Sequence, residues 1–288
     1  MEFPNYNSAA GLRVFLNENG LGMRKKFGQN FLINPGIRQA LADALEAESG
    51  EAVWEIGPGL GAMTGLLLKK GLKVLAFEID PGFARILREL FAAEAGFSLA
   101  EGDALKTWPG QPSAQYLLGN LPYNIAAALL AGFIEQRRFF RRIVVTVQRE
   151  TALRMAARPG GADYSSFSVL CASAYRISLL MQIGAASFYP RPNVVSQAVL
   201  LEKRDDAAVC RPACFYPLVR GLFSSRRKTI KNNLAVFFAS RAASPDSSAA
   251  AAERALDMCA LDGRKRAEEL WLDDFAALAK AIEDMGIL

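Results

Sequence analysis

The 288-residue chain predicts an α/β protein with a mostly parallel, doubly wound sheet and an antiparallel edge, followed by a small all-helical domain. Three observations carry that prediction. A short apolar strand, Val53-Trp54-Glu55-Ile56, turns on Gly57, Gly59 and Gly61 into a helix, which is how such folds present backbone N–H groups to a nucleotide-like ligand. Apolar strands then alternate with helices of roughly ten to fifteen residues, the βαβ pattern of a parallel sheet with helices on both faces. Beyond Asp205 only helical periodicity remains, so domains are expected at 1–204 and 205–288.

Residues 1–22 read as irregular or weakly helical, and Met23–Leu32 brings three adjacent cations followed by aromatic and amide side chains. Asn34-Pro35 is a helix start, an N-cap with proline at the first helical position, and Ile37, Leu41 and Leu45 form its expected buried stripe. After the glycine turn, helix 62–70 stops at Gly71, and strand 74–77 ends in Glu78. Helix 82–94, strand 97–100 and the loop Gly102-Asp103-Ala104-Leu105 follow. Strand 116–119 ends in Asn120-Leu121-Pro122-Tyr123, a helix runs to about 135, and the basic run 137–142 leads into strand 143–147. Stretches 175–181 and 195–201 are expected to close one edge as an antiparallel pair, separated by the rigid loop Phe188–Val194. Helices are expected near 212–223, 226–240, 249–260 and, in pieces, 266–285, with the Ala/Ser-rich tract 242–252 as a linker.

Composition narrows the chemistry. The chain contains no histidine, which removes histidine triads, histidine general bases and most common zinc sites. Cys171, Cys210, Cys214 and Cys259 show no paired metal-binding spacing and read as small buried hydrophobes. No metal is expected. There is no apolar run long enough to span a bilayer and no signal-peptide pattern at Met1–Asn5, so a cytoplasmic protein without membrane association is expected. The net charge of +5 suggests a polyanionic partner, and its source is local: Lys203–Lys231 holds eight Lys and Arg against Asp205 and Asp206. Arg226, Arg227, Lys228 and Lys231 repeat at near-helical spacing, as phosphate-tracking cations would. For run 137–142 an RNA contact and a solvated face are equally open.

Gly57, Gly59 and Ala62, with Glu78 about twenty residues on, also fit a dinucleotide fingerprint, so a nicotinamide cofactor remains open here. Two details favour S-adenosylmethionine. Glu55 precedes the first glycine, where its carboxylate can meet a cationic amino-acid group, and no cluster of phosphate-binding residues follows the turn. Glu78 ends the second strand, in reach of ribose hydroxyls. Asp103 can accept from an adenine amino group or simply cap a helix. Asn120-Leu121-Pro122-Tyr123 points to the reaction. An adenine amine is a poor nucleophile because its lone pair is delocalised, and two acceptors, the Asn120 side-chain oxygen and the Leu121 carbonyl fixed by Pro122, can hold the lone pair toward a methyl donor. Tyr123 offers a stacking face, and no base is needed before transfer.

Taken together, these segments resemble the KsgA/RsmA-type ribosomal RNA small-subunit adenine dimethyltransferases. The resemblance rests on Lys26–Leu32, Glu55–Gly61, Glu78-Ile79-Asp80, Gly102-Asp103-Ala104, Asn120–Tyr123, the Phe188-x-Pro-x-Pro-x-Val loop and Ser225–Thr229 through Asn233-Leu234. It implies a Rossmann-like class I methyltransferase fold and S-adenosylmethionine as donor. It also implies dimethylation of N6 on two adjacent adenosines in a hairpin loop near the 3′ end of small-subunit (16S) rRNA, with a role in ribosome biogenesis. It places Asn30 and Leu32 over the donor, Gly57 against its amino-acid part, Glu78 on its ribose, Asp103 near its adenine and Asn120 shared with the target amine; Glu55 and Gly59 complete the expected donor site. Phe188 would sandwich the target base opposite Tyr123. Immature small subunits are the implied partner, and a monomer is expected. Two alternatives stand beside this one: an Erm-type enzyme acting on large-subunit RNA, and a non-catalytic assembly or transcription factor on the same fold.

Overall fold

The computed structural model describes residues 1–24, 28–205, 212–241 and 245–286. Lys25, Lys26 and Phe27 of the first basic run, Asp206, Cys210 and Arg211, and the start of the 242–252 tract lie outside the described residues. In order, the elements are α1 (Ala9–Glu18), β1 (Phe31–Leu32), α2 (Pro35–Asp43), β2 (Ala52–Ile56), α3 (Ala62–Lys69), β3 (Lys73–Glu78), α4 (Pro81–Leu90) and β4 (Phe97–Glu101). Then come α5 (Ala104–Thr107), β5 (Tyr116–Asn120), α6 (Ala126–Glu135), β6 (Arg142–Gln148), α7 (Arg149–Ala156) and α8 (Ser166–Ala174). The last elements are β7 (Tyr175–Ile183), β8 (Phe188–Tyr189), β9 (Ser196–Lys203), α9 (Phe215–Leu222), α10 (Ile230–Ala239), α11 (Pro245–Met258) and α12 (Leu272–Asp284).

Seven strands form one sheet in the order β4-β3-β2-β5-β6-β9-β7. β2 pairs in parallel with both β3 and β5, β3 with β4, and β5 with β6, while β9 runs antiparallel to β6. The central strands are buried on both faces, which is why they read as continuous apolar runs rather than alternating ones. Strand order reverses between β2 and β5, so their carboxyl ends open a crevice at a topological switch point.

Local chemistry sets the helix starts along that edge. Asn34 caps α2 by accepting from Ile37 N at 3.1 Å, and Asp80 caps α4 by accepting from Gly82 N at 2.9 Å, each with proline next in the chain. α3 has no side-chain cap: it begins directly from Gly61, whose φ of +87° only glycine adopts readily. A Cβ at Gly61 would also lie 2.5 Å from the Phe91 ring.

The chain divides into two compact units, Met1–Ala152 with Arg176–Lys203, and Leu153–Tyr175 with Arg204–Leu288. The expected division into 1–204 and 205–288 is therefore corrected for residues 153–175. The reason is burial: Tyr164 and Val169 join Phe215, Leu218, Ile230, Leu234, Phe238 and Phe275 in the core of the second unit. Tyr164 Oη also donates to the Leu270 carbonyl at 2.9 Å. In the first unit, α1 packs Leu12, Phe15 and Leu16 against Leu60, Phe83, Ile86, Leu87 and Phe91, so the leader is a structured part of the sheet domain.

Basic run 137–142 lies where β6 begins, at the opposite edge from the crevice, and its described side chains are committed to the fold. The Arg138 guanidinium sits over Trp54 and Trp108, Arg141 donates to Tyr116 Oη, and Arg142 pairs with Glu46 and Glu202.

Candidate active site

The carboxyl ends of β2, β3, β4 and β5 meet β1 and the leader around one cleft. It is lined by Asn30, Leu32, Glu55, Gly57, Gly59, Glu78, Asp103, Asn120 and Pro122, and so gathers the expected donor-site residues from segments up to ninety positions apart. The glycine turn shapes its floor. Gly57 and Gly59 have φ of +69° and +59°, and an added Cβ at Gly59 would lie 2.9 Å from the Phe31 ring. At Gly57 a Cβ would occupy the space 3.8 Å from the Asn120 carbonyl oxygen and 3.9 Å from Pro122 Cδ. Glycine at that position keeps the gap between the two loops open.

Two buried carboxyl groups face this floor. Glu55, 3% exposed, accepts a hydrogen bond from Thr64 Oγ1 at 2.6 Å. Glu78, 4% exposed, accepts from Gly59 N at 3.2 Å and from Asp80 N at 2.8 Å, which fixes the turn and the carboxylate to one another. Burial pushes both acids up to about 7; the Thr64 hydrogen bond opposes this for Glu55, and the two backbone N–H groups oppose it for Glu78. Asp103 caps α5 by accepting from Leu105 N at 3.0 Å and still lines the cleft, so capping and ligand contact are compatible there.

At the tip of β5, Asn120 Nδ2 donates to the Asn30 carbonyl at 2.7 Å. That bond sets the orientation of the amide and leaves Oδ1 as an acceptor. The next residue, Leu121, donates its N–H to the Thr146 carbonyl at 3.1 Å, and the Pro122 carbonyl accepts from Ile125 N and Ala126 N as α6 begins. The Leu121 carbonyl accepts no hydrogen bond among the described residues. Tyr123 Oη lies 2.5 Å from Ser196 Oγ and its ring is half-buried; burial raises its pKa.

Phe188, expected to sandwich the target base, is part of the core in this structure. It is 2% exposed and packs with Leu32, Leu41, Leu45 and Ile183, because β8 pairs with β1 in the register Leu32↔Phe188. Its ring therefore presents no open face to a base across from Tyr123. The β1–β8 ribbon buries it as core.

The basic segment also differs from its helical reading. Thr229 caps α10, accepting from Asn232 N, so Arg226, Arg227 and Lys228 occupy the turn before the helix rather than one helical face. Arg226 donates through Nε and Nη2 to Glu268 at 3.1 and 2.9 Å, and Lys231 pairs with Glu253. The side chains of Arg227 and Lys228 make no such pair among the described residues.

Sequence reasoning gave no role to Tyr6, Arg38 and Gln29, which line the cleft, or to Asp80, which holds Gln29 from beside it. Asp80 accepts from Gln29 Nε2 and tethers the Asn30 loop to the end of β3. For Arg38 a signal existed: positions 38, 41, 42 and 45 form an i, i+3, i+4, i+7 stripe with a cation at its head, and the structure buries all four. Tyr6 carried no signal beyond its residue type.

The model of the ribosomal RNA adenine dimethylase family matches residues 20–259. The chain is 45% identical over 283 residues to ribosomal RNA small subunit methyltransferase A of Treponema pallidum (strain Nichols), covering 97% of this chain and 98% of that one. It is 43% identical over 288 residues to the protein of the same name from Treponema denticola, covering 97% and 96%. Among solved structures it is similar to a dimethyladenosine transferase from Plasmodium falciparum, with a TM-score of 0.77, 25% identity, and coverage of 88% of this chain and 97% of that one.

Proposed function

The chain belongs to the ribosomal RNA adenine dimethylase family, and from that premise we propose that it transfers methyl groups from S-adenosylmethionine to N6 of two adjacent adenosines in a hairpin loop near the 3′ end of small-subunit rRNA. Its substrate in this reading is the immature small subunit, in the cytoplasm, and the enzyme acts as a monomer. The observation that carries the reading is the juxtaposition of the glycine turn after β2 with the Asn120–Tyr123 loop after β5, on one edge of parallel neighbouring strands.

The residues present fit the donor. Gly57 keeps clear a channel that a Cβ would fill, Glu55 is a buried acid suited to an ammonium group, and Glu78 is held at the end of β3 where ribose hydroxyls can donate to it. When bound, the donor supplies an electrophilic methyl group on a sulfonium. The chain's own part is orientation. Asn120 Oδ1 and the Leu121 carbonyl accept the two hydrogens of the amine and leave its lone pair directed into the cleft. The Asn120–Asn30 and Leu121–Thr146 hydrogen bonds keep both acceptors in place, and Tyr123 offers its ring to the base. The amine's proton leaves after the nitrogen has become positive, so the absence of histidine is no obstacle. A second transfer to the same nitrogen requires the monomethylated amine to turn its remaining hydrogen to one of the two acceptors.

Of the four basic residues expected to track RNA, Arg227 and Lys228 make no ion pair among the described residues and can meet phosphates directly, with Arg226 and Lys231 joining if RNA displaces Glu268 and Glu253. Target loops already present unstacked bases, which lowers the cost of extrusion.

The test is direct. The protein is incubated with labelled donor and immature small subunits, and the modified nucleotides are mapped. Label at two adjacent adenosines near the 3′ end supports the proposal; label confined to large-subunit RNA, or none, overturns it.

A further inference from the structure

The leader, which carries no motif, reaches the donor cleft through two anchor points. Tyr6 Oη donates to the Leu60 carbonyl, inside the glycine turn, at 2.8 Å. The Arg38 guanidinium donates through Nη1 to the carbonyls of Tyr6 at 3.2 Å and Leu32 at 2.6 Å, and through Nη2 to Asn7 Oδ1. Tyr6 and Arg38 both line the cleft, and Arg38 is the single cation among its described lining residues.

Burying a guanidinium without a carboxylate partner is costly. Arg38 is 6% exposed and forms no ion pair among the described residues; the groups it donates to are neutral oxygens supplied by the leader and β1. Burial lowers its pKa and Tyr6 counteracts the shift, while the Tyr6 hydroxyl is raised by burial and then by Glu55, with Arg38 acting the other way. Tyr6 thus sits in electrostatic reach of the buried acid Glu55 and the buried cation Arg38 at once, and all three line the cleft.

We propose that Tyr6 and Arg38 are positioning residues for the methyl donor: through them the leader ties Leu60 in the glycine turn to Leu32 in β1 and sets affinity for the donor's amino-acid end. This rests on the donor assignment above and deepens it. Binding the donor then also stabilises the leader's contacts with the cleft, so the two are thermodynamically linked.

The experiment uses the full chain and S-adenosylhomocysteine, the demethylated donor, as probe. Calorimetric titration compares the unaltered protein with Tyr6→Phe, Asn7→Ala and Arg38→Met, and hydrogen exchange follows the amides of residues 6–12. Tyr6→Phe is expected to weaken binding about fivefold, the worth of one hydrogen bond, and Arg38→Met by more than about tenfold. RNA affinity should stay unchanged, KM for the donor should rise more than kcat falls, and exchange at residues 6–12 should slow when the probe binds. If Arg38→Met fails to fold, the two milder variants decide. Folded variants that bind the probe within about twofold of the unaltered protein, or leader amides indifferent to the probe, overturn the proposal and leave the methyltransferase reading standing. An unaltered protein that binds no probe removes the donor assignment, and this proposal with it.

Discussion

Asn120 donates its side-chain amide to the main-chain carbonyl of Asn30 at 2.7 Å, across ninety residues of sequence. A hydrogen bond on the nitrogen side of an amide dictates where its oxygen points, so the acceptor that would hold the adenine amine is oriented before any substrate arrives.

Asn120→Ala should therefore abolish methyl transfer, with a loss of at least about 100-fold in single-turnover rate, while RNA affinity changes only a few-fold. Asn120→Asp keeps an acceptor oxygen but loses the donor to Asn30, and it should fall nearly as far. Quench-flow with labelled donor and filter binding give the two readouts; a turnover near that of the unaltered protein in either variant refutes the orienting role.

Glu55 and Glu78, ordinarily near 4.5, stand at about 7 in the fold. Between those values the native state binds more protons than the unfolded chain, so stability contributed by their protonated forms is full at low pH and is lost as pH rises through about 7. Glu55→Gln removes one such titration. Its stability relative to the parent should increase steadily from pH 4.5 to pH 7 and level off above, as read by urea unfolding across that range. A flat difference would mean that Glu55 does not titrate in this window.

Phe188 distinguishes a core role from a stacking role. Truncation to alanine at a site this buried should cost about 3–5 kcal/mol of stability, measured by chemical denaturation. An unchanged midpoint accompanied by a collapse in kcat would show instead that the ring serves the target base.

For RNA affinity, Arg227 and Lys228 should carry the salt dependence. Replacing both should reduce the slope of log K against log salt by about 1.4–1.8. Arg226→Ala alone should change it less, because Glu268 already neutralises that guanidinium. Glu268→Gln should strengthen binding by freeing it. Identical slopes in all variants would place the footprint elsewhere.

Much of the fold was legible because its signals are local. Buried parallel strands announce themselves as apolar runs such as Ile143–Val147, Asn34-Pro35 and Asp80-Pro81 carry their own helix starts, and Gly57, Gly59 and Gly61 mark a turn that side chains would block. The allegiance of residues 153–175, with α8, to the second unit was not legible, since it depends on Tyr164 and Val169 meeting residues far along the chain.

The sequence by itself determined which segments make the strands of the sheet, that the glycine turn and Asn120 each follow the end of an apolar strand, and that any chemistry proceeds without imidazole. These follow from periodicity, turn stereochemistry and composition, which act over a few residues at a time. Tertiary structure alone decided that Phe188 is core, that Arg138, Arg141 and Arg142 are occupied within the fold, that Arg226 answers to Glu268, and that Tyr6 and Arg38 bind the leader to the cleft. Each of those outcomes depends on which distant group satisfies a buried polar atom or covers an apolar face, and that partner is chosen only when the chain has folded.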